Sequence, residues 1–348
     1  MRTRISSRLS KAAIVMLVFS AGAFAVDIVN YGPFACHFYN QNDDGGYGYV
    51  GAADWTDTQK QDVEAGIMTW ASNIANTAPR QLNLHIYWQN LEGAQLGGAG
   101  SSVYYNGTYS ASMTEYVWRH ENNYTISGPD ALIVYDIDAA SDYKPEDQPD
   151  YVSPIAGWNF GSEQPADDEI DFRGTVTHEL GHLVGFSSSY NLNLNQFGTA
   201  GDSESWQQRG LSAWDLNFVD DDGERPQVAV SWDEQTNVDV QADEGDSTSL
   251  YWDGENAVAA NDGELVQIFA PTEYLPGSSL SHLNYDAGSV YPGSLMSPYV
   301  STGISPREPN EIEWAMMADM GWTIVPEPAT MIILGIGGLV LNVTRRRA

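Results

Sequence analysis

The sequence predicts an α+β fold with a twisted mixed sheet. Residues 58–76 and 172–184 are predicted helices, and residues 82–88 and 131–135 are short apolar runs typical of strands. The order of helix, strand, strand, edge strand and helix indicates an α+β layer arrangement. From residue 190 to residue 271 the chain is rich in Asp, Asn, Gly and Ser, so we expect irregular loops and short strands there.

The first helix is predicted by apolar side chains that recur at intervals of four, three and four residues: Val63, Ile67, Trp70 and Ile74. Pro79 ends it. Residues 82–88 alternate and predict a half-buried strand, whereas residues 131–135 are continuously apolar and predict a central strand.

Two further segments complete the predicted sheet region. Residues 93–102 are rich in Gly and Ser and predict a loop, and residues 153–160 predict an edge strand. A last helix is expected after Pro309, because Asn310 and Glu313 form a plausible cap pair and Gly321 follows as a stop.

The first 25 residues predict a secretory signal peptide. A basic segment precedes an apolar run from Ala12 to Phe24, and Ala23-Phe24-Ala25 fits the cleavage rule for small residues. The alternative is a retained anchor helix, but the run is short for a membrane span. Export also agrees with the single cysteine, Cys36, which excludes an internal disulfide framework.

The C-terminus carries a second address. A Pro-Glu-Pro motif at 326–328 is followed by an apolar stretch at 331–343 and an arginine cluster at 345–347. Residues 325–348 resemble the PEP-CTERM sorting signal of Gram-negative bacteria. The resemblance implies recognition by an exosortase, transient membrane association through the tail, removal of the tail, and delivery to the cell surface or extracellular polymer. The alternative is a plain membrane anchor.

Charge between the two ends is strongly acidic. Seven of the 15 basic residues lie at the two termini, which leaves eight against all 47 acidic residues in between. Such a surface repels phosphate backbones, so we expect no nucleic-acid partner. It favours solubility and divalent cations.

The chemical motif is His178-Glu179-Leu180-Gly181-His182. On a helix, histidines four residues apart share one face and can bind one Zn²⁺ at about 2.0–2.1 Å each. Zinc lowers the pKa of its water to about 7, and Glu179 lies where a carboxylate can take the proton as general base. A catalytic zinc also needs a third protein ligand and an open position.

Gly185 follows three residues after His182 and can turn the chain at the end of the helix. The segment H-E-x-x-H-x-x-G-F resembles the metzincins, a class of zinc peptidases. Their third ligand usually stands three residues after the glycine, where this chain has Ser188, a poor zinc ligand.

One metzincin subgroup, the leishmanolysin-like metallopeptidases, has a distant third histidine in a Ser-His segment ahead of a Leu-Met turn. This chain has Ser281-His282 and then Leu295-Met296. The resemblance covers roughly residues 54–322 and implies that His282 is the third ligand, with Met296 packed beneath the metal as the Met-turn. The Cys-rich framework of the eukaryotic members is absent.

An acidic third ligand, as in gluzincins, is the alternative, and Glu204 is its candidate. Gly185 and the Leu-Met turn would then have no role. Of the other histidines, His37, His85 and His120 have no partner at ligand spacing, and His85 lies in a strand pattern that favours a structural role.

Three further features have weaker functional interpretations. Tyr299 follows Met296 and could stabilise an oxyanion, or it could simply pack. Cys36 could block a zinc ion as a latency switch, although a buried inert thiol is the simpler interpretation. The acidic segments 42–45 and 220–224 could bind Ca²⁺ through oxygen ligands, or could be solvated loops.

The combined prediction is an exported zinc endopeptidase that hydrolyses proteins or peptides. Its expected parts are a signal peptide (1–25), a peptidase domain (26–324) and the sorting signal (325–348). Residues 190–275 would be an insertion between the zinc half-sites, followed by a C-terminal subdomain with the Met-turn and final helix. Substrate would lie antiparallel along the edge strand at 153–160. The alternative is a non-catalytic surface or matrix protein that retains a metzincin fold.

Overall fold

The computed structural model has an α+β fold with a mixed sheet, as predicted. It describes most of the chain between the predicted signal peptide and the sorting signal. The signal peptide itself and the tail from residue 326 lie outside the described residues. The described ranges are 26–75, 77–91, 95–105, 110–139, 155–191, 196–197, 210–220, 223–226, 250–271, 274–275, 277–284, 293–303 and 305–325.

The strands are mostly short and the helices few. The strands are β1 Asp27–Tyr31, β2 Phe34–Tyr39, β3 Leu82–Gln89, β4 Gly97–Ser101, β5 Val103–Tyr105, β6 Ser110–Ser112, β7 Ala131–Asp136, β8 Gly157–Asn159, β9 Glu169–Asp171, β10 Tyr190–Asn191, β11 Gln196–Phe197, β12 Phe218–Asp220, β13 Leu250–Trp252 and β14 Val266–Gln267. The α-helices are α1 Asp57–Asn73, α2 Met113–Trp118, α3 Phe172–Val184, α4 Glu255–Ala260 and α5 Glu311–Asp319.

The main sheet has five strands in the order β1, β2, β3, β7, β4. Strands β2, β3 and β7 run parallel to one another, whereas β1 and β4 are antiparallel to their neighbours at the two edges. The predicted strands at 82–88 and 131–135 are thus two of the three inner strands, which explains why both are so apolar.

Alternating side chains of the inner strands serve two faces of the sheet. Leu84, Ile86 and Ile133 belong to the main core beneath the helices, whereas Tyr87 and Val134 belong to a small aromatic cluster on the opposite face. Period-two alternation of this kind is what a sheet with helices on one face requires.

Helices α1 and α3 pack against each other on the main core. The Trp70 indole donates to the Thr177 carbonyl at 2.9 Å, which fixes the rotation of one helix against the other. Gly66 permits the close approach, because a Cβ at this position would lie 2.6 Å from Val176 Cγ1. Helix α3 therefore lies in the centre of the core, with ten of its 13 residues buried.

The second half of the chain packs around the C-terminal end of α3. Strands β12, β13 and β14 form a small antiparallel sheet, and Ile268 extends β14 through a bridge to Leu283. After α5, the Trp322 indole donates to the Val184 carbonyl at 2.9 Å, and Ile324 pairs with Ile74 beyond the end of α1. The chain after α5 thus contacts the C-terminal ends of α1 and α3.

The predicted helices agree closely with the structure. Helix α3 has the predicted bounds, α1 begins one residue earlier and ends three residues earlier than expected, and α5 begins after an Asn310–Glu313 capping box as expected. The short strand β14 lies in the region where short strands were expected.

The predicted edge of the sheet was wrong. Residues 93–102 were expected to be a loop, but they include β4, the antiparallel edge strand beside β7. In the segment 153–160, residues 155–160 are described, and β8 pairs there with β9 in a separate two-stranded sheet. The glycine-rich sequence of β4 resembles a loop, so the strand was not predicted. An edge strand can lack bulky side chains where a helix packs close to it.

Gly66→Ala tests the close approach of α1 to α3. We expect the free energy of unfolding to fall by about 1–3 kcal/mol, because overpacking against Val176 outweighs the roughly 1 kcal/mol gained from helix propensity. Urea denaturation measures the change. Ser72→Ala, at an exposed position of the same helix, is the control and should alter stability by less than about 0.5 kcal/mol. A Gly66→Ala protein more stable than the wild type would contradict this packing.

Candidate metal centre

Helix α3 carries the central motif and is fixed at both ends. At its start Asp171 is fully buried and accepts two hydrogen bonds from the Arg307 guanidinium, from Nε at 2.6 Å and from Nη2 at 3.1 Å. At its end Gly185 has φ of 133°, a conformation that favours glycine, and the chain turns back toward His182. The two motif histidines therefore project from a helix that is held at its start, and Gly185 sets the direction in which the chain leaves its end.

Three imidazoles converge at one point. His182 Nε2 lies 3.1 Å from His178 Nε2, and His282 Nε2 lies 3.2 Å from the same atom. The ligand atoms of the three residues all lie within 4.8 Å of one another. The structure thus brings His282 to the motif across a separation of 104 residues from His178.

The opposite ring nitrogen of each histidine faces a backbone carbonyl. His178 Nδ1 lies 2.7 Å from Leu295 O, His182 Nδ1 lies 2.7 Å from the carbonyl of Phe186, and His282 Nδ1 lies 2.7 Å from that of Ser278. Because a carbonyl oxygen only accepts hydrogen bonds, each Nδ1 must carry the proton. Each Nε2 then has a free lone pair that points into the shared centre.

Burial keeps the three rings neutral. Desolvation lowers the pKa of His182 to about 3, with a further contribution from His178, and it also lowers the pKa of His178 and of His282. Neutral imidazole is the form that binds a metal ion. Three lone pairs facing one another at this separation repel, so a cation at their centre would relieve the repulsion.

The donor set fits a first-row divalent metal. Two nitrogens that are 3.1–3.2 Å apart, each about 2.05 Å from a common ion, subtend an angle of about 100° at it, close to tetrahedral. Three imidazoles leave a fourth position open, and this ligand type suits zinc, copper, iron and nickel. Carbonyl partners on Nδ1 are the usual way of orienting such ligands.

Glu179 lies beside the histidines and is also buried, with 6% of its surface exposed. Among the described residues its carboxylate has no hydrogen-bond partner, and its Oε1 would lie 3.0 Å from a Cβ at Gly97 on β4. Burial raises the pKa of Glu179 to about 8. A carboxyl group with these properties can accept and return a proton near neutral pH.

Met296 forms the floor of the site. A Cβ at Gly181, between the two motif histidines, would lie 2.5 Å from Met296 Sδ, so the thioether packs directly against the helix. The Met296 carbonyl accepts from the backbone N–H of Leu283, next to His282. Met296 therefore contacts both halves of the site, and its role as a Met-turn stays a prediction.

Glu313 holds this turn in place from helix α5. Its fully buried carboxylate accepts from Ser294 Oγ at 2.6 Å and from Met296 N at 2.7 Å through Oε1, and from Asn310 N at 2.7 Å through Oε2. Because the Leu295 carbonyl in the same turn faces His178 Nδ1, Glu313 indirectly sets the orientation of one ring.

The other candidate residues contribute nothing to the three-histidine group within the described ranges. Ser188 donates to Asp215 at 2.7 Å, in agreement with its poor suitability as a ligand. Tyr299 is 55% exposed and makes an edge contact with the Phe269 ring. Glu204, the alternative third ligand, lies outside the described residues.

Structural roles account for the remaining histidines and the cysteine. His85 Nδ1 lies 2.9 Å from the Tyr39 hydroxyl, and His85 stacks on His37. His120 lies beside Arg119 at the surface. Cys36 is fully buried in β2, and burial raises the pKa of its thiol well above the usual range, which favours the inert interpretation.

The acidic segments offer no comparable cluster in the part of the chain that is described. Asp43 and Asp44 each accept a backbone hydrogen bond within their own loop, from Asn40 and Gly46. Residues 221–222 of the second segment lie outside the described residues. Within the described ranges, the three histidines are the one group of His, Cys, Asp or Glu side chains placed to share an ion.

Sequence reasoning did not identify Glu313 or Glu115 as parts of this region. The signals were present, because Asn310-x-x-Glu313 and Ser112-x-x-Glu115 are both capping boxes. A capping pair explains a helix start, but it does not say what else a buried carboxylate touches.

Comparison with known families identifies the C-terminal segment. The profile of the PEP-CTERM protein-sorting motif matches residues 325–348. The predicted sorting signal is therefore confirmed, and this motif implies export, recognition by an exosortase and sorting to the cell surface in Gram-negative bacteria. No curated protein matches the chain.

None of the helices in the described residues is both long and apolar enough to cross a bilayer. The apolar stretch at 331–343 lies outside the described residues.

His282→Ala should weaken zinc binding by at least about 100-fold, because it removes one of the three nitrogen ligands. Loss of a residue that only hydrogen-bonds a ligand typically weakens metal binding by about 10–100-fold. Competition with a chromophoric zinc chelator measures the affinity. His85→Ala and His120→Ala are the controls and should bind zinc like the wild type. Unchanged affinity in the His282→Ala protein would mean that the third ligand lies elsewhere, and Glu204 would be tested next.

Glu313→Gln should lower zinc affinity by about tenfold and reduce stability by about 1–3 kcal/mol. A Gln side chain still caps α5, but its amide N–H₂ must face either Asn310 N–H or the turn, which leaves a buried donor unpaired. The same chelator competition and a urea titration measure both effects. Glu311→Gln, exposed in the first turn of the same helix, is the control and should change neither.

Proposed function

We propose that this protein is an exported zinc endopeptidase of metzincin type. The observation that carries the proposal is the convergence of three unprotonated Nε2 atoms beside the buried carboxylate of Glu179. Three neutral ligands, an open fourth position and an adjacent base are what hydrolysis by a metal-activated water requires.

Zinc, when bound, supplies Lewis acidity that polarises a peptide carbonyl and lowers the pKa of water to about 7. The rest of the chemistry belongs to the chain. The three histidines hold the ion with the orientation set by their carbonyl partners. Glu179 takes the proton of the attacking water and then gives it to the leaving amine.

Strand β4, rather than the segment at 153–160, is the best candidate for the strand along which the substrate peptide binds. It is an edge strand of the main sheet, and Gly97 faces the Glu179 carboxylate. An extended peptide can add to a free strand edge through main-chain hydrogen bonds. A peptide bound there would pass directly in front of the catalytic carboxylate.

Two features favour the metzincin class over other zinc peptidases. Gly185 turns the chain so that the Phe186 carbonyl reaches His182, and Met296 packs under the helix at Gly181. A gluzincin-type acidic ligand would leave both without a role. The peptidase domain would span 26–324, with residues 190–275 inserted between the zinc half-sites.

Glu179 also speaks against the alternative of a non-catalytic surface protein. A purely structural zinc site needs no general base and is usually closed by a fourth protein ligand. Keeping an unpaired carboxylate buried beside the site is unfavourable, since burial raises its pKa to about 8. Catalysis gives that carboxylate a use.

Glu179→Gln should keep zinc and fold but lower kcat/KM by about 10²–10⁴, the usual contribution of a general base. Hydrolysis of a mixed peptide library by the zinc-loaded protein, with and without a chelator, measures the activity. Glu64→Gln, exposed on α1, is the control for loss of a charge.

Full activity in the Glu179→Gln protein would exclude Glu179 as the base. Loss of zinc in the same protein would assign it a ligand role instead.

A further inference from the structure

A cavity of 260 Å³ opens beside the metal centre, with His182 in its wall. It lies between the edge strand β4, the C-terminal end of α3 and the start of α2. Its volume is below that of a pocket for a drug-sized ligand and suits one side chain. Any substrate bound along β4 would have a residue next to this cavity.

The lining combines apolar and hydroxyl groups. Seven serines contribute to it, together with small or aliphatic side chains. In this described lining His182 is the only side chain of basic type.

Glu115 provides a buried carboxylate in the wall. It is 2% exposed, and its Oε2 accepts from Ser112 N at 3.1 Å in the capping box of α2. Its Oε1 is buried without a hydrogen-bond partner and would lie 3.6 Å from a Cβ at Gly185. Among the described residues, this oxygen therefore has an ion pair with Arg119 but no hydrogen bond.

The charge of Glu115 is incompletely balanced. Arg119 Nη2 lies 3.4 Å from Oε1, but Arg119 is not part of the cavity wall and also donates to the Met320 carbonyl. A second buried carboxylate, Asp215, lies behind the serine wall, where Ser188, Ser189 and Ser212 donate to it. Glu115 thus has an ion pair with Arg119, whereas Asp215 is bound by serine hydroxyl groups.

We propose that this cavity binds a basic side chain, lysine or arginine, of the substrate residue adjacent to the cleaved bond. The apolar lining would contact the aliphatic stem, and Glu115 with the serine hydroxyls would bind the charged end. This inference rests on the proposed endopeptidase function and adds the substrate class.

The electrostatics favour such a pairing. Burial raises the pKa of the Glu115 carboxyl, whereas Arg119 lowers it. A cation brought close to Oε1 would lower that pKa further, so carboxylate and substrate cation would stabilise each other. An apolar side chain of the same length would add no hydrogen bond to the buried oxygen, which pairs with Arg119 at 3.4 Å.

Paired fluorogenic peptides test the proposal. Each pair carries lysine or norleucine at one position flanking the cleaved bond, and kcat/KM is measured with the zinc-loaded protein. We expect the wild type to prefer lysine by at least about tenfold at one flanking position. Glu115→Gln should reduce that preference about tenfold while kcat/KM for the norleucine peptide changes less than about threefold.

Two variants separate charge from fold. Glu115→Asp keeps the charge and should retain a preference for lysine, and Glu64→Gln removes an exposed charge and should leave the preference intact. Zinc content and melting temperature are measured for every variant. Loss of zinc or fold in Glu115→Gln would make Glu115 purely structural and overturn the inference.

The remaining outcomes are also decisive. Peptide cleavage without a preference for basic residues, or an equal preference in Glu115→Gln, would refute the cavity assignment and leave the proposed function intact. Failure of the zinc-loaded wild type to cleave any peptide would refute the proposed function and this inference with it.

Discussion

The mutual approach of three imidazole nitrogens is the constraint on which the site depends. Each ring donates a hydrogen bond from Nδ1–H to a backbone carbonyl. The Nε2 lone pairs of His178, His182 and His282 must therefore face one another at close range. Without a cation this arrangement is repulsive. The fold therefore has to hold the rings in place by other means, and it does so from three separate segments of the chain.

The segments that supply the three carbonyls are irregular, and buried carboxylates stabilise two of them. Glu313 fixes the turn that supplies the Leu295 carbonyl, and Asp215 binds the serine-rich segment that follows α3. Near Ser278, the loop that carries His282 contains Leu280 with φ of 66°, a strained conformation for a bulky residue. Its carbonyl accepts from the Trp214 indole at 2.7 Å, one of the contacts that hold it there. Local geometry at the site is thus set by tertiary contacts rather than by regular structure.

The parts that could be predicted from sequence are those with a local signal. Helix α3 has a motif on one face and Gly185 at its end, and α5 has a capping box, so both were placed correctly. Strand β4 was missed because its glycines resemble a loop, and only at Gly97 would a Cβ meet α3, 3.0 Å from Glu179 Oε1. His282 was placed at the site through a resemblance over a long separation, which no local pattern could supply. The role of Glu313 depends on contacts between a helix and a distant turn, so it required coordinates.

X-ray absorption spectroscopy at the zinc edge of the protein purified from its secreted form tests the central claim most directly. We expect about one zinc per chain, three imidazole nitrogens at about 2.0–2.1 Å and one further oxygen ligand. Absence of zinc, a sulfur ligand, or a first shell with fewer than three imidazoles would contradict it.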